Sequence, residues 1–233
     1  IVGIHCEPKL DVGTIGVRAG AISSAADMAR IVLSGPGGHT ARPELTVDLI
    51  DLAARIVAEL PAAVGDRLGG EGDLKIVFGS IQAGDAANVI PTSCELKASV
   101  RTPSLDVWER LPDLVTSALA DLLAGTGADH VLEYTHGVPP VVNDGSVTDL
   151  VARAAAGEFG ELAVAGVEQS WGGDDFAWFT REVPGTYVRL GVRTPNGPTL
   201  DLHAGHFDVD ERAIALGVRL LTATVDAFFD PAA

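Results

Sequence analysis

Strand-like and helix-like hydrophobic patterns alternate along the middle of this chain. Four segments alternate apolar with polar residues, which predicts half-buried strands: Ala25–Leu33, Leu74–Ile81, Ser93–Arg101 and His130–His136. Two segments repeat apolar residues at helical spacing. Thr46 is the candidate N-cap of the first helix, and Pro61 should end it. Ser104 is the candidate N-cap of the second helix, which runs to about Leu123. The order β-α-β-β-α-β predicts a ferredoxin-like domain, an antiparallel sheet with two helices on one face.

The hydrophobic patterns at the two ends of the chain predict that both ends belong to one α/β layer structure. Residues 1–20 predict a short buried strand, a turn at Glu7-Pro8 and a second strand from Gly13 to Arg18. The C-terminal part predicts, in order, a helix over 146–158, a short helix over 174–180, a strand over 187–192 and a helix over 210–229. We therefore predict an α/β fold with one domain from residues 1–24 and 138–233. Residues 25–137 form an inserted ferredoxin-like domain, with hinges near 20–24 and 136–140 and a cleft between the two bodies.

Composition and charge narrow the class of protein. A hydrophobic content of 47% is ample for a packed core, and a net charge of −16 without a basic patch argues against nucleic-acid or anionic-membrane partners. No apolar run reaches the roughly 18 residues that a membrane span needs. The two cysteines, Cys6 and Cys94, form no CxxC pair, which favours a reduced, cytoplasmic setting.

One histidine is presented on a glycine-rich turn. In Gly35–Pro43, His39 follows three glycines that fall within four residues. Glycines at this density allow positive φ and a close approach to another group. A histidine there can donate a hydrogen bond or carry a proton near neutral pH. The local pattern alone also fits a tight turn that carries a solvated histidine.

Two further histidines have the spacing or position of ligands. His5 is placed at the end of the predicted strand Ile1–Cys6, where it can reach a cleft at a sheet edge or remain a half-buried structural residue. His203 and His206 lie three residues apart between acidic residues, a spacing that suits zinc or a simple turn. Neither feature decides the question by itself.

Three polar positions near glycines or strand ends add candidate contacts. Asp174 follows two glycines and precedes a short helix, so it can serve the helix N-terminus or line a site. Asn88 falls between two predicted strands and can hold that connection through its side chain. Arg101 ends a strand, where it can be solvated or can clamp a carboxylate.

In this order, these pieces resemble the central and C-terminal part of the aminoacylase and hippurate hydrolase family. Its members are dinuclear zinc amidohydrolases, and they include auxin-conjugate hydrolases and several dipeptidases. The similarity covers essentially the whole chain. The matching pieces are Gly3-Ile4-His5, Gly35-Pro36-Gly37-Gly38-His39, Gly84–Pro91, Val100-Arg101-Thr102, Gly172–Phe176 and Leu202-His203 with Phe207-Asp208.

The resemblance implies a role for each position. His5 and His203 match zinc ligands, and His39 matches the lid-domain histidine that crosses the dimer to stabilise the oxyanion in the partner's site. Asn88 and Arg101 match lid residues that bind the carbonyl or carboxylate end of the substrate. The resemblance further implies two zinc ions per complete site (Mn or Co being possible), a small N-acyl amino acid or dipeptide-like substrate, and a homodimer formed through the inserted domain.

Two departures from the family pattern change this expectation. Where the hippurate-hydrolase branch commonly has glutamate, this chain has Asp174, whose arm is one methylene shorter, so the role of this position stays open. The family's remaining ligands and its catalytic glutamate lie upstream of the His5 motif, and this sequence contains no adjacent Glu-Glu pair.

Two ligands cannot hold two zinc ions, and the chain begins inside a predicted strand without a methionine. We therefore expect a portion of an amidohydrolase, with a partial catalytic domain, that is inactive by itself. The alternative is a non-catalytic dimerisation or ligand-binding protein on the same scaffold, and the metal content distinguishes the two.

Overall fold

The computed structural model describes residues 1–230, and the chain divides into two compact units. The first unit comprises Ile1–Ser23, Val141–Ser170 and the described residues from Asp174 onward. The second comprises Ser24–Pro140 together with the tripeptide Trp171–Gly173. The predicted α/β fold class is confirmed. No helix within residues 1–230 is long and apolar enough to cross a membrane.

Strands and helices of very different lengths follow one another along the chain. The strands are β1 (Val2–Asp11), β2 (Ile15–Val17), β3 (Gly20–Ala21), β4 (Ala26–Ser34), β5 (Gly38–His39), β6 (Lys75–Ala83), β7 (Val89–Ile90), β8 (Ser93–Arg101), β9 (Asp129–Val138), β10 (Val142–Asn143), β11 (Val164–Gly166) and β12 (Thr186–Arg193). The helices are α1 (Leu49–Arg67), α2 (Leu105–Leu123), α3 (Gly145–Phe159), α4 (Ala177–Glu182) and α5 (Arg212–Phe229). Two short 3₁₀ turns add to these: Pro43–Leu45 and Glu161–Ala163.

The second unit has the predicted βαββαβ order. Its four-stranded antiparallel sheet runs β6-β8-β4-β9, and α1 and α2 pack on one face. Alternate strand residues point into this core, where Ile31, Leu33 and Leu96 are fully buried. The opposite face carries exposed apolar residues, such as Met28 and Val77.

The predicted ends of α1 are wrong on both sides. Asp48, rather than Thr46, caps the helix, since its side chain accepts hydrogen bonds from the first-turn amides. The Thr46 hydroxyl instead donates to the Gly37 carbonyl at 2.7 Å. The helix continues through Pro61 to Arg67, because burial of residues beyond the proline, Val64 among them, outweighs its local cost.

A buried carboxylate ties three elements of the second unit together. Asp27, which is 1% exposed, accepts hydrogen bonds from Trp108 Nε1 at 2.9 Å, from the Tyr134 hydroxyl at 2.7 Å and from the Gly137 amide at 2.8 Å. Burial and the neighbouring Asp27 carboxylate raise the pKa of Tyr134. The network joins β4, α2 and β9 at one end of the sheet.

The first unit contains a mixed sheet in the order β1-β12-β2-β11, with β1 at an edge. The residues of one face, including Val188 and Leu190, form a core with α3 and α5. The predicted turn at Glu7-Pro8 is wrong, because β1 runs through Pro8 to Asp11 and the chain turns only at the following residues. An edge strand tolerates proline, since one row of its backbone amides has no partner strand.

Candidate functional site

The structure brings His39 and Asn88 together in the second unit. β5 and β7 form a two-residue antiparallel ladder in which His39 lies opposite Val89. The Thr40 amide donates to the Asn88 carbonyl at 3.3 Å, and both candidate side chains are exposed. The preceding turn requires glycine at Gly37, whose φ is +68° and where a Cβ would lie 2.7 Å from a methyl carbon.

One hydrogen bond sets the tautomer of His39. Its Nδ1 accepts from the Ala41 amide at 3.0 Å, so this nitrogen carries a lone pair in that contact. The proton of the neutral ring is then on Nε2, which presents an N–H donor from an exposed side chain. This is the form that can hydrogen-bond a developing oxyanion.

Arg101 is the last residue of β8, in the four-stranded sheet of the same unit. Its Nε donates to Ser99 Oγ at 3.1 Å and its Nη1 to the Trp171 carbonyl at 2.9 Å, which fixes the plane of the guanidinium. Lys75 lies opposite it on β6, and the Lys75 ammonium sits 3.9 Å from the centroid of the Trp171 ring. Arg101 therefore presents its Nη2 group beside a second cation.

Within one chain, His39 and Asn88 are far from Arg101. β8 runs from Ser93 to Arg101, eight steps of about 3.3 Å, or roughly 26 Å. The β5–β7 ladder continues the β4–β8 ladder beyond its Ser93 end, so the first two residues lie past the opposite end of the sheet from Arg101. The three candidate residues of this unit thus fall into two groups.

His5 lies on β1 of the first unit. The predicted position at the end of a strand is wrong, because β1 continues beyond His5 to Asp11. The side chain is half-buried. Its Nδ1 is 2.6 Å from the Cys6 carbonyl oxygen, a contact in which the ring nitrogen must donate. Nε2 then carries the lone pair, which is the tautomer that a metal ligand adopts.

Asp174 is held by two contacts within the first unit. One of its oxygens accepts from the Phe176 amide at 2.9 Å and the other from the Tyr187 hydroxyl at 2.5 Å. Burial and this contact raise the pKa of Tyr187, whose ring is 5.8 Å from the His5 ring. The carboxylate therefore positions the ring beside His5. Sequence reasoning missed Tyr187, because an aromatic residue at the start of a strand is ordinary.

His203 lies on an exposed turn with φ of +67°, and His206 is exposed three residues later. Within residues 1–230, no group of three or more His, Cys, Asp or Glu side chains is arranged to hold a metal ion. Cys6 and Cys94 are both free thiols, and burial raises the pKa of each.

Comparison with known proteins gives a consistent picture. Residues 24–126 match the M20 peptidase dimerisation-domain family. The chain is 33% identical over 216 residues to N-acetylcysteine deacetylase of Bacillus subtilis, covering 93% of this chain and 55% of that enzyme. A crystal structure of a dinuclear metal-binding M20-family peptidase from B. subtilis superposes with a TM-score of 0.77, at 28% identity over 96% of this chain and 55% of that one.

One relative carries a different name. A Rhodococcus jostii protein provisionally named glutamate–cysteine ligase 2-3 is 41% identical over 223 residues, which are 96% of this chain but only 28% of that protein. Most of that protein therefore has no counterpart in these residues. The chain spans about half the length of the deacetylases that it matches.

Proposed function

Since this chain belongs to the M20 family of peptidases and hydrolases, we propose that it is part of a metal-dependent amidohydrolase that cleaves the amide bond of small N-acyl amino acids or dipeptide-like amides. Residues 25–137 would form the dimerisation or lid domain, and residues 1–24 with 138–233 a partial catalytic domain. The deacetylases among its relatives support this substrate class, and free thiols support a cytoplasmic setting.

The separation of His39 and Asn88 from Arg101 carries the proposal. A small N-acyl amino acid is far shorter than the roughly 26 Å of strand between these groups, so one substrate cannot touch all three in a single chain. A homodimer removes this conflict, because one protomer can supply Arg101 and its partner His39 with Asn88. A symmetric dimer then has two equivalent sites, each built from two chains.

Each of these three side chains would have its own role in the reaction. The Nε2–H group of His39 would donate to the oxyanion that forms when the amide is attacked, with Asn88 next to it binding the substrate carbonyl. Arg101, fixed in plane by two hydrogen bonds, would donate its Nη2 group to the substrate carboxylate.

A metal would be held in part by His5, whose Nε2 lone pair fits a ligand, and by His203. Zinc, or Mn or Co in its place, supplies an activated water and polarises the amide carbonyl when bound. Zinc sites need three or four ligands, so two histidines are too few for two ions. We propose that the remaining ligands and the general base come from residues beyond these 233, and that this chain alone does not turn over.

Hydrolysis of N-acetyl amino acids tests this function. The complete product of the gene and the 233-residue chain are assayed side by side with added Zn, Mn or Co. We expect metal-dependent turnover by the complete product and none by the shorter chain. Turnover by the 233-residue chain would contradict the proposed incompleteness. If the complete product shows no turnover and binds no metal, that result would favour a non-catalytic dimerisation or ligand-binding protein. The small number of candidate ligands also allows this alternative.

Mixed dimers of the complete product test the shared site. His39→Ala and Arg101→Ala chains, each inactive alone, should recover about one quarter of the wild-type activity after subunit exchange. Half of the dimers are then mixed, and each of these has one intact site. No recovery despite exchange would show that His39 and Arg101 serve the same chain.

A further inference from the structure

One cation of the first unit lies on the same sheet face as His5. Arg189 is on β12, directly opposite His5 of β1, and it is only 8% exposed. Residues paired in this way point to the same side of a sheet, and here that side faces away from α3 and α5. The guanidinium leans over the ring of Tyr187, with Cζ 5.1 Å from the ring centroid.

The side chain of Arg189 makes no hydrogen bond or ion pair with any described residue, whereas its backbone lies between β1 and β2 in the sheet. The other arginines of this unit on nearby elements differ, since Arg193, Arg212 and Arg219 each lie 2.6 Å from a carboxylate oxygen. No buried side-chain nitrogen within residues 1–230 is sealed from solvent without a partner, so the N–H groups of Arg189 reach an opening while its stem is enclosed. An enclosed cation without a counter-ion is unfavourable, and it favours an anion at this opening.

Small residues make room for this arrangement. Gly16 of β2 pairs with Arg189 of β12. A Cβ at Gly16 would lie 3.0 Å from the Arg189 Cβ and 2.5 Å from a methyl carbon of Val167. A Cβ at Gly3 would lie 2.8 Å from the Tyr187 ring. Two acids are associated with this face, and each accepts a hydrogen bond from another group: Asp174 from the Tyr187 hydroxyl, and Glu7, two residues from His5 on β1, from the Lys9 amide. Neither forms an ion pair with the Arg189 guanidinium in the part of the chain that the structure describes.

We propose that Arg189 binds a small carboxylate on this sheet face, next to His5. The planar fork of a guanidinium matches the two oxygens of a carboxylate, and the Tyr187 ring beneath it forms a flat apolar floor. The choice of a carboxylate among anions rests on the proposed function, in which Arg101 binds the carboxylate of the substrate's amino acid and cleavage releases the acyl group as a second carboxylate. The Arg189 site would hold this released acid beside the Nε2 atom of His5.

Acetate titration of the 233-residue chain tests the site. The imidazole resonances of His5 are followed by NMR at constant ionic strength, with chloride replaced by acetate. We expect a saturable shift below about 100 mM acetate. In Arg189→Met, which keeps the stem and loses the charge, binding should weaken about tenfold or more; Arg189→Lys, which keeps the charge and loses the fork, should be intermediate.

The matched control is Arg193→Met, because Arg193 is on the same strand but already paired with Asp11. Its acetate affinity should stay within about twofold of wild type. Equal binding by Arg189→Met, or no saturable shift in the wild type, would overturn the proposal. Thermal unfolding checks that the variants fold, and Arg189→Lys carries the test if Arg189→Met does not. If the 233-residue chain binds acetate but the complete gene product does not hydrolyse N-acetyl amino acids, the proposed function is refuted and this site stands. If the complete product hydrolyses them but the chain does not bind acetate, only the site is refuted.

Discussion

Replacing Asp27 by alanine should strongly destabilise the second unit. The change removes the carboxylate that accepts from three donors: Trp108 Nε1, which is buried, and the Tyr134 hydroxyl and Gly137 amide, which are half-buried. An unsatisfied buried donor costs about 1–3 kcal/mol, so the three together set an upper limit of roughly 3–9 kcal/mol before relaxation. Water that enters the vacated space should recover part of this cost, so we expect a loss of about 3–5 kcal/mol in the free energy of unfolding.

Urea unfolding followed by far-UV circular dichroism measures this loss. Tyr134→Phe removes one of the three donors and should cost only about 1–2 kcal/mol. The matched control is Asp129→Ala, an exposed acid at the start of β9, which should stay within about 0.5 kcal/mol of wild type. A loss below about 1 kcal/mol for Asp27→Ala would refute the reasoning, because it would mean that the three donors find other partners at little cost.

Three further predictions concern pH, strain and catalysis. Folding raises the pKa values of Tyr134 and Tyr187, so the stability that these groups contribute should be full below their unfolded pKa of about 10 and should fall as pH rises above it. Urea unfolding midpoints measured between pH 8 and 11 should show this fall. If the midpoint of Tyr134→Phe falls with pH as steeply as that of the wild type, the prediction for Tyr134 is contradicted. Gly137→Ala should lower the unfolding midpoint of the second unit, since its Cβ would lie 2.1 Å from a backbone carbonyl oxygen. Gly79→Ala on β6, whose Cβ would meet no atom within 4 Å, serves as the comparison for steric cost. In the complete gene product, His39→Ala should lower kcat by about 10²–10³ with little change in KM, and an unchanged kcat would reject the oxyanion role.

The fold of the second unit was largely predictable, because alternation and helical spacing are strong there. The limits of β8 were predicted at Ser93 and Arg101, and α2 begins after its predicted cap, Ser104. The ends of α1 were not, since the choice between Thr46 and Asp48 as cap depends on a hydrogen bond to a distant turn. Tertiary packing decided these boundaries, and a local pattern does not contain it.

The candidate site was less predictable. His39 and Asn88 are 49 positions apart, and only the β5–β7 pairing, a non-local contact, makes them neighbours. The same holds for Asp174 and Tyr187, whose contact settles how that carboxylate is used. Arg189 did leave a signal, since a charged residue within an otherwise buried strand is uncommon and points to a special partner.

The tripeptide Trp171–Gly173 limits how far the two units can be treated as separable modules. It supplies the Gly172 carbonyl to the Ser24 amide and the Trp171 carbonyl to Arg101, although it lies far downstream of the residues that build the rest of the second unit. An excised fragment of residues 24–140 would keep the sheet and both helices but would lose these acceptors and the ring under Lys75. Modular transplantation of this unit between proteins would therefore carry its core intact and leave the end that positions Arg101 unfinished.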